Sequence, residues 1–260
     1  MYNPKIIINN VTYEDKFFKV VRDDYLLGGT KQRGIIEFCK KQKDYDEFVY
    51  AGPSTGHAQI ALAIGAKNTG KQATIFLTKT KPMTLQTRLA KKIGATILEQ
   101  KYRTPLKELK LIAADYVKNK PRAMLLKLGF DDHDFCEALT NSICSALDNQ
   151  LQLDGKYNFW LVGGSGLLAT ILHKMFINST FNVVQVGKEI DEIICGDRFN
   201  LYKAPEFFYD KANDSPPWDT VLTYDAKVWQ FVNKYAKSDG NDIIWNVARD
   251  PTPADIYNQH

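Results

Sequence analysis

The chain has 260 residues, 44% hydrophobic and 25% charged, a balance suited to a globular protein with a large core. Its formal net charge of +4 is spread out without a polybasic run, too weak an excess to argue for a nucleic-acid partner, although an anionic substrate stays open. No apolar run reaches the ~18–20 residues that span a bilayer, and the start MYNPKIIINN lacks a signal pattern, so no membrane partner is expected. Cys39, Cys136, Cys144 and Cys195 form no CxxC and no metal-like pairing, which points to a reducing, cytoplasmic setting and to no metal site.

The chain reads as an alternation of strands and helices. Gly28-Gly29-Thr30-Lys31-Gln32-Arg33 precedes a helical pattern at Ile35, Ile36 and Phe38. Residues 48–51 form a strand that stops at Gly52-Pro53, and 57–66 have helical spacing. A strand at 73–77 is followed by a helix predicted over 82–94, opened by Pro82 and closed by Gly94. Then come a strand at 96–98, a helix at 105–118, a strand at 124–126 and a long helix at 133–151. Phe159–Val162 is a strand that runs into Gly163-Gly164-Ser165-Gly166 and a helix to about 176. A strand at 182–186, a Pro- and Asp-rich loop at 196–219, a helix at 225–237 and a strand at 242–247 complete the order. Continuous apolar strands between helices predict mostly parallel sheets covered on both faces.

Two segments carry chemistry. A lysine after two glycines, held near tight backbone and away from bulk water, can lose its proton and attack a carbonyl. Lys31 therefore suits attachment of pyridoxal phosphate as a Schiff base, although a solvated lysine at a helix start is the simpler reading of that residue alone. The layout strand, then Gly163-Gly164-Ser165-Gly166, then helix suits an anion, because glycines admit close backbone approach and free N–H groups face the ligand. The same run fits GxGxxG/A of dinucleotide folds, but that reading wants an acid at the end of the next strand, and Glu189 arrives late. No P-loop motif is present.

With these residues in hand, the chain resembles the fold-type II, tryptophan-synthase-β-like pyridoxal-phosphate enzymes. It is nearest to the branch of 1-aminocyclopropane-1-carboxylate deaminase and D-cysteine desulfhydrase. Residues 21–33 (VRDDYLLGGTKQR) look like that branch's segment around the cofactor lysine, with Lys31 at its place. Ser54-Thr55-Gly56-His57-Ala58-Gln59 is similar to its substrate loop, and Gly163, Gly164, Ser165 and Gly166 to its phosphate loop. Tyr224-Asp225-Ala226-Lys227 is similar to its Tyr-Glu-Gly-Lys segment. The departures are a substrate loop one residue short and lacking the family's asparagine, Ser165 where many members have glycine, and Trp245–Arg249 in place of a Thr-Gly-Gly-like turn.

The resemblance implies two open, mostly parallel sheets with helices on both faces. A larger lobe (1–43 and 126–260) and a smaller one (44–125) would flank a central cofactor cleft in a homodimer. It further implies pyridoxal 5'-phosphate on Lys31, its phosphate on Gly163–Gly166, and its pyridine nitrogen on Asp225. Ser54, Thr55, Gly56 and His57 would hold the carboxylate of a small amino-acid substrate. Lys31, Tyr224 and Ser54 would be the catalytic side chains of a lyase or deaminase. Taken singly, Asp225 also reads as a charge at a helix start, Tyr224 as a core tyrosine, and Ser54, Thr55 and His57 as helix caps. Gln59, Arg33 and Arg249 read as surface or supporting residues. Three alternatives stay open: a decarboxylase or lyase on a bulkier or nucleotide-tethered amino acid, a non-catalytic cofactor carrier, and the dinucleotide fold.

Overall fold

The computed structural model describes residues 3–187, 190, 196–237 and 239–257. It divides into two compact units, Met1–Tyr25 with Thr140–Arg249 and Leu26–Leu139 with Asp250–His260.

The first unit is built on six strands: β1 (Ile8–Tyr13), β2 (Lys16–Arg22), β7 (Asn158–Gly163), β8 (Thr180–Gln185), β9 (Phe199–Lys203) and β10 (Asp242–Asn246). Their order is β1-β2-β10-β7-β8-β9, with β1 antiparallel to β2 and every other pair parallel. Helices α6 (Leu167–Met175) and α7 (Trp229–Tyr235) belong to this unit. The inner strands β7, β8 and β10 are mostly apolar because both faces are covered, whereas the edge strands β1 and β9 are partly exposed. Phe18, Val20, Trp160, Val162, Val184 and Ile244 pack with Trp229 and Val232 of α7 on one face. On the other, Phe159 stacks on Phe181 at 5.3 Å and meets Phe176 at 4.8 Å.

The second unit holds β3 (Glu47–Ala51), β4 (Gln72–Thr78), β5 (Thr96–Gln100) and β6 (Ala123–Leu126), ordered β5-β4-β3-β6 and all parallel. Its helices are α1 (Lys31–Lys41), α2 (Ala58–Asn68), α3 (Leu85–Ile93), α4 (Leu106–Val117) and the short α8 (Pro253–Tyr257). α5 (His133–Leu147) crosses the unit boundary between Leu139 and Thr140. α4 covers one face of this sheet, where Leu109 and Ala113 meet Val49, Ala51 and Phe76. Phe38 of α1 meets Phe48 of β3 at 5.8 Å and Phe135 of α5 at 5.9 Å.

The mostly parallel α/β architecture agrees with the sequence reading, and several details differ. The segment 196–219 is not all loop: Phe199–Lys203 pairs with Phe181–Gln185 as β9. α3 starts at Leu85 and not at Pro82, because Thr84 supplies the cap by accepting a hydrogen bond from the Thr87 N–H at 3.3 Å. α5 stops at Leu147, before Asp148 and Asn149 turn to φ +48° and +63°. The unit that holds the four-stranded sheet also reaches beyond 44–125, taking in α1 and therefore Lys31. Close packing explains that grouping. A Cβ on Gly28 would lie 2.8 Å from the Ala61 Cα of α2, and one on Gly65 of α2 would lie 2.7 Å from Ile35 of α1. No helix among the described residues is long and apolar enough to cross a membrane. Cys39, Cys136 and Cys144 form no disulfide among the described residues, burial pushes the Cys39 thiol up to about 12, and Cys195 lies outside the described residues.

Candidate active site

In the second unit, Lys31 is the first residue of α1 and is half-buried. The turn before it favours glycine, since Gly29 sits at φ +64° and accepts the Gln32 N–H at 2.9 Å. Gln32 reaches back, its Oε1 accepting the Gly28 N–H at 2.9 Å. Lys31 therefore rises from backbone fixed at both ends, with Gly28 seated against the first turns of α2.

Ser54–His57 link the C-terminal end of β3 to α2, with His57 as the last residue before the helix. The loop is clamped by its main chain. Ser54 O accepts Gln59 Nε2 at 2.8 Å, Thr84 Oγ1 at 2.7 Å and Thr87 Oγ1 at 3.2 Å, and Gly56 O accepts Gln59 Nε2 at 3.0 Å. The side chains of Ser54 and Thr55 are half-buried and make no hydrogen bond among the described residues. Gln59 is 1% exposed, so the expectation of a surface or supporting position is half right: it is a core residue that shapes the loop. A polar residue at the second position of a helix that then runs apolar, just after a glycine turn, was the available signal. Arg33 is likewise buried.

In the first unit, β2, β7, β8, β9 and β10 all point one way, so the loops that follow them share one sheet edge. That edge is where open α/β sheets bind ligands. Gly163 ends β7, and Gly166, at φ +77°, is the residue before α6. The nine-residue α6 presents its unpaired first-turn amides here, a standing attraction for an anion. Gly164 lets Tyr224 approach closely, since a Cβ there would lie 2.6 Å from the Tyr224 hydroxyl. Ser165 stands half-buried between the two glycines. β8 ends at Gln185, whose Oε1 accepts the Ile190 N–H at 2.9 Å, so among the described residues no acid closes that strand as a dinucleotide site would want, and Glu189 lies outside them.

Tyr224 is partly exposed as a residue, but its hydroxyl is enclosed by protein. Burial pushes its phenol well above the usual range, the adjacent Asp225 adds to this, and the Gly164 backbone opposes it. Asp225 is buried, and its Oδ1 accepts the Val247 N–H at 2.9 Å, which ties it to the chain leaving β10. Lys227, two residues on, is fully buried and donates to Phe207 O at 2.8 Å, holding the loop after β9. Asp23 and Asp24 follow β2. Asp24 receives Arg22 through Nε at 2.8 Å and Nη2 at 2.7 Å, and Asp23 accepts Trp245 Nε1 at 3.1 Å.

The site residues read from the sequence thus fall into two groups. Lys31 with Ser54–His57 belongs to one unit, and Gly163–Gly166 with Tyr224 and Asp225 to the other. Within the first unit the structure brings Gly164 and Tyr224 into contact; within the second it seats the turn before Lys31 on the helix that follows His57.

No family model and no curated sequence matches the chain. Solved structures do. An ACC deaminase homologue is similar with a TM-score of 0.75 and 14% identity, over 96% of this chain and 90% of that one. O-ureido-L-serine synthase gives 0.72 and 12%, over 99% and 91%. An O-acetylserine-dependent cystathionine β-synthase from Helicobacter pylori gives 0.69 and 13%, over 98% and 94%. The chain has the fold of the fold-type II pyridoxal-phosphate enzymes.

Proposed function

We propose that this chain is a pyridoxal-phosphate-dependent lyase or deaminase acting on an amino acid. The observation that carries the reading is Lys31 at the first residue of α1, just after a turn whose left-handed backbone favours glycine, in the fold that an ACC deaminase homologue shares. The residues present suit the cofactor: one half-buried amine, a glycine turn opening a helix, and a buried carboxylate. In this proposal Lys31 holds the cofactor's aldehyde carbon, Gly163–Gly166 and the start of α6 hold its phosphate, and Asp225 faces its pyridine nitrogen. When bound, the cofactor supplies an electron sink for charge at the substrate's α carbon.

The chain's own groups do the rest. Ser54–His57, fixed through Ser54 O and Gly56 O, present hydroxyls and amides to the substrate carboxylate. Lys31, as an amine beside the reacting carbon, carries a proton to or from it. Asp225 is an acceptor when ionised, which suits a ring N–H. Tyr224 keeps its proton through the physiological range, so it serves as a donor or as a wall and not as a standing base. A homodimer working in the cytoplasm is part of this proposal.

The test is to load the purified protein with the cofactor, confirm a visible band that shifts with added amino acids, and screen amino acids for products. Release of ammonia with pyruvate or 2-oxobutyrate is expected. Carbon dioxide alone would make it a decarboxylase, and no product from any amino acid despite a stable band would make it a carrier.

A further inference from the structure

The four parallel strands of the second unit release their loops on one edge, in the order β5, β4, β3, β6. The Ser54–His57 loop follows β3, so the loops after β4 and β6 flank it. The loops after β4 and β5 are basic, while the one after β6 carries Lys127 together with Asp131 and Asp132. Lys79 and Lys81 follow β4, Lys101 and Arg103 follow β5, and Lys127 follows β6; all are exposed, and none makes an ion pair among the described residues. On the β6 side, Asp132 Oδ1 accepts the Asp134 N–H at 3.0 Å and Asp134 Oδ2 accepts Gln42 Nε2 at 2.6 Å at the start of α5.

The basic loops are fixed to one another and to the substrate loop. The Lys79 N–H donates to Gln100 O at 3.1 Å, and Thr78 Oγ1 donates to Thr104 O at 2.6 Å. Thr84 Oγ1 in turn donates to Ser54 O at 2.7 Å. Tyr102 is 64% exposed, with the Arg103 guanidinium 5.3 Å from its ring centre. Two buried atoms on this edge also lack partners among the described residues, Thr80 Oγ1 and Gln59 Oε1. With strands about 4.8 Å apart, the outer two strands lie roughly 15 Å from one another, wide enough for several phosphates.

We propose that this edge binds a phosphate-bearing, nucleotide-type group to which the amino-acid substrate is attached. The lysines and Arg103 would meet the phosphates, and the exposed Tyr102–Arg103 pair would offer a stacking face for a base. A free amino acid carries one carboxylate, which the Ser54–His57 loop serves in that reading, so the four exposed cations after β4 and β5 have no role with it. The inference rests on the reading of Ser54–His57 as the substrate loop. The group comes from one of two sources, a free nucleotide or a nucleic-acid strand.

The experiment measures binding of thymidine 5'-monophosphate and of a fluorescent single-stranded DNA 12-mer to the cofactor-loaded protein between 50 and 200 mM salt. It compares the natural sequence, a K79A/K81A/R103A variant, and a K91A/K92A control on α3. Salt-dependent binding is expected, with a loss of about tenfold or more in the triple variant and a log–log salt slope for the 12-mer lower by about 2, from ~0.7 per cation removed. The control should bind like the natural sequence. Equal affinity for both probes names the nucleotide as the source, and much tighter 12-mer binding names the strand. The proposal is overturned if neither probe binds at 50 mM salt, if the triple variant binds as well as the natural sequence, or if the control loses as much. The cofactor's visible band should persist in every variant; its absence from the natural sequence would refute the underlying reading instead.

Discussion

Gln59→Glu is the sharpest probe of how the Ser54–His57 loop is held. Gln59 is 1% exposed, and its two amide hydrogens go to Ser54 O at 2.8 Å and Gly56 O at 3.0 Å, so the two carbonyls fix which end of the side chain is the donor. Glutamate has nearly the same shape but, when ionised, turns a bare oxygen toward both carbonyls. A buried carboxyl in such a place has its pKa raised by about 3 units or more, or about 4 kcal/mol at pH 8. The penalty is small below about pH 4.3, grows as pH rises toward the raised folded value, and is full above it, because the folded variant holds a proton the unfolded chain has released. At about 2–4 °C per kcal/mol, the Tm of the variant should lie roughly 8–16 °C below the natural sequence at pH 8 and much closer to it at pH 5. Gln59→Leu is the control. It loses two hydrogen bonds of about 0.5–1.5 kcal/mol each, and it also removes an unpartnered buried Oε1 of comparable cost, so a change within about 1 kcal/mol is expected. Thermal unfolding by circular dichroism reads both variants. An equal Tm displacement of Gln59→Glu at the two pH values, or none, would refute the reasoning.

Glu47 gives a second pH-dependent outcome. Burial pushes its carboxyl up, but hydrogen bonds from Thr74, Tyr116 and Lys120 outweigh this and hold it below the ordinary 4.5. Its contribution to stability is therefore present above pH 4.5 and lost as pH falls through the lower folded value. Glu47→Gln should lower the urea midpoint at pH 7 and bring the two proteins together near pH 3; parallel curves would contradict it. Asp225→Asn keeps an oxygen for the Val247 N–H, so the fold and cofactor attachment should survive while turnover falls by about 10²-fold or more. Steady-state rates with a visible-band control measure this, and an unchanged rate removes Asp225 from the chemistry.

The alternation of strands and helices was legible because the inner parallel strands are sandwiched and so read as unbroken apolar runs, as in Phe48–Ala51 and Phe159–Val162. β9 was not legible: Phe199-Asn-Leu-Tyr-Lys lies on the sheet edge, half-covered, and sits in a segment rich in Pro and Asp. Pro82 misled because proline is also at home in the turn before a helix, where the Thr84 hydroxyl does the capping. For the candidate site, the glycines were informative, since Gly29 and Gly166 occupy left-handed backbone that few other residues accept. Gln59 was not, because its role depends on two carbonyls that face it only once the loop has turned. The basic loops were invisible for a related reason: Lys79 and Arg103 are far apart in sequence, and only the strand order sets their loops side by side.

The covalent bond at Lys31 is tested most directly by borohydride reduction of the cofactor-loaded protein, proteolysis and mass spectrometry of the peptides. A pyridoxyl mass on the peptide containing Lys31, and on no other lysine, is the expected result. A label on a different lysine, or no label after saturation with the cofactor, would contradict the account.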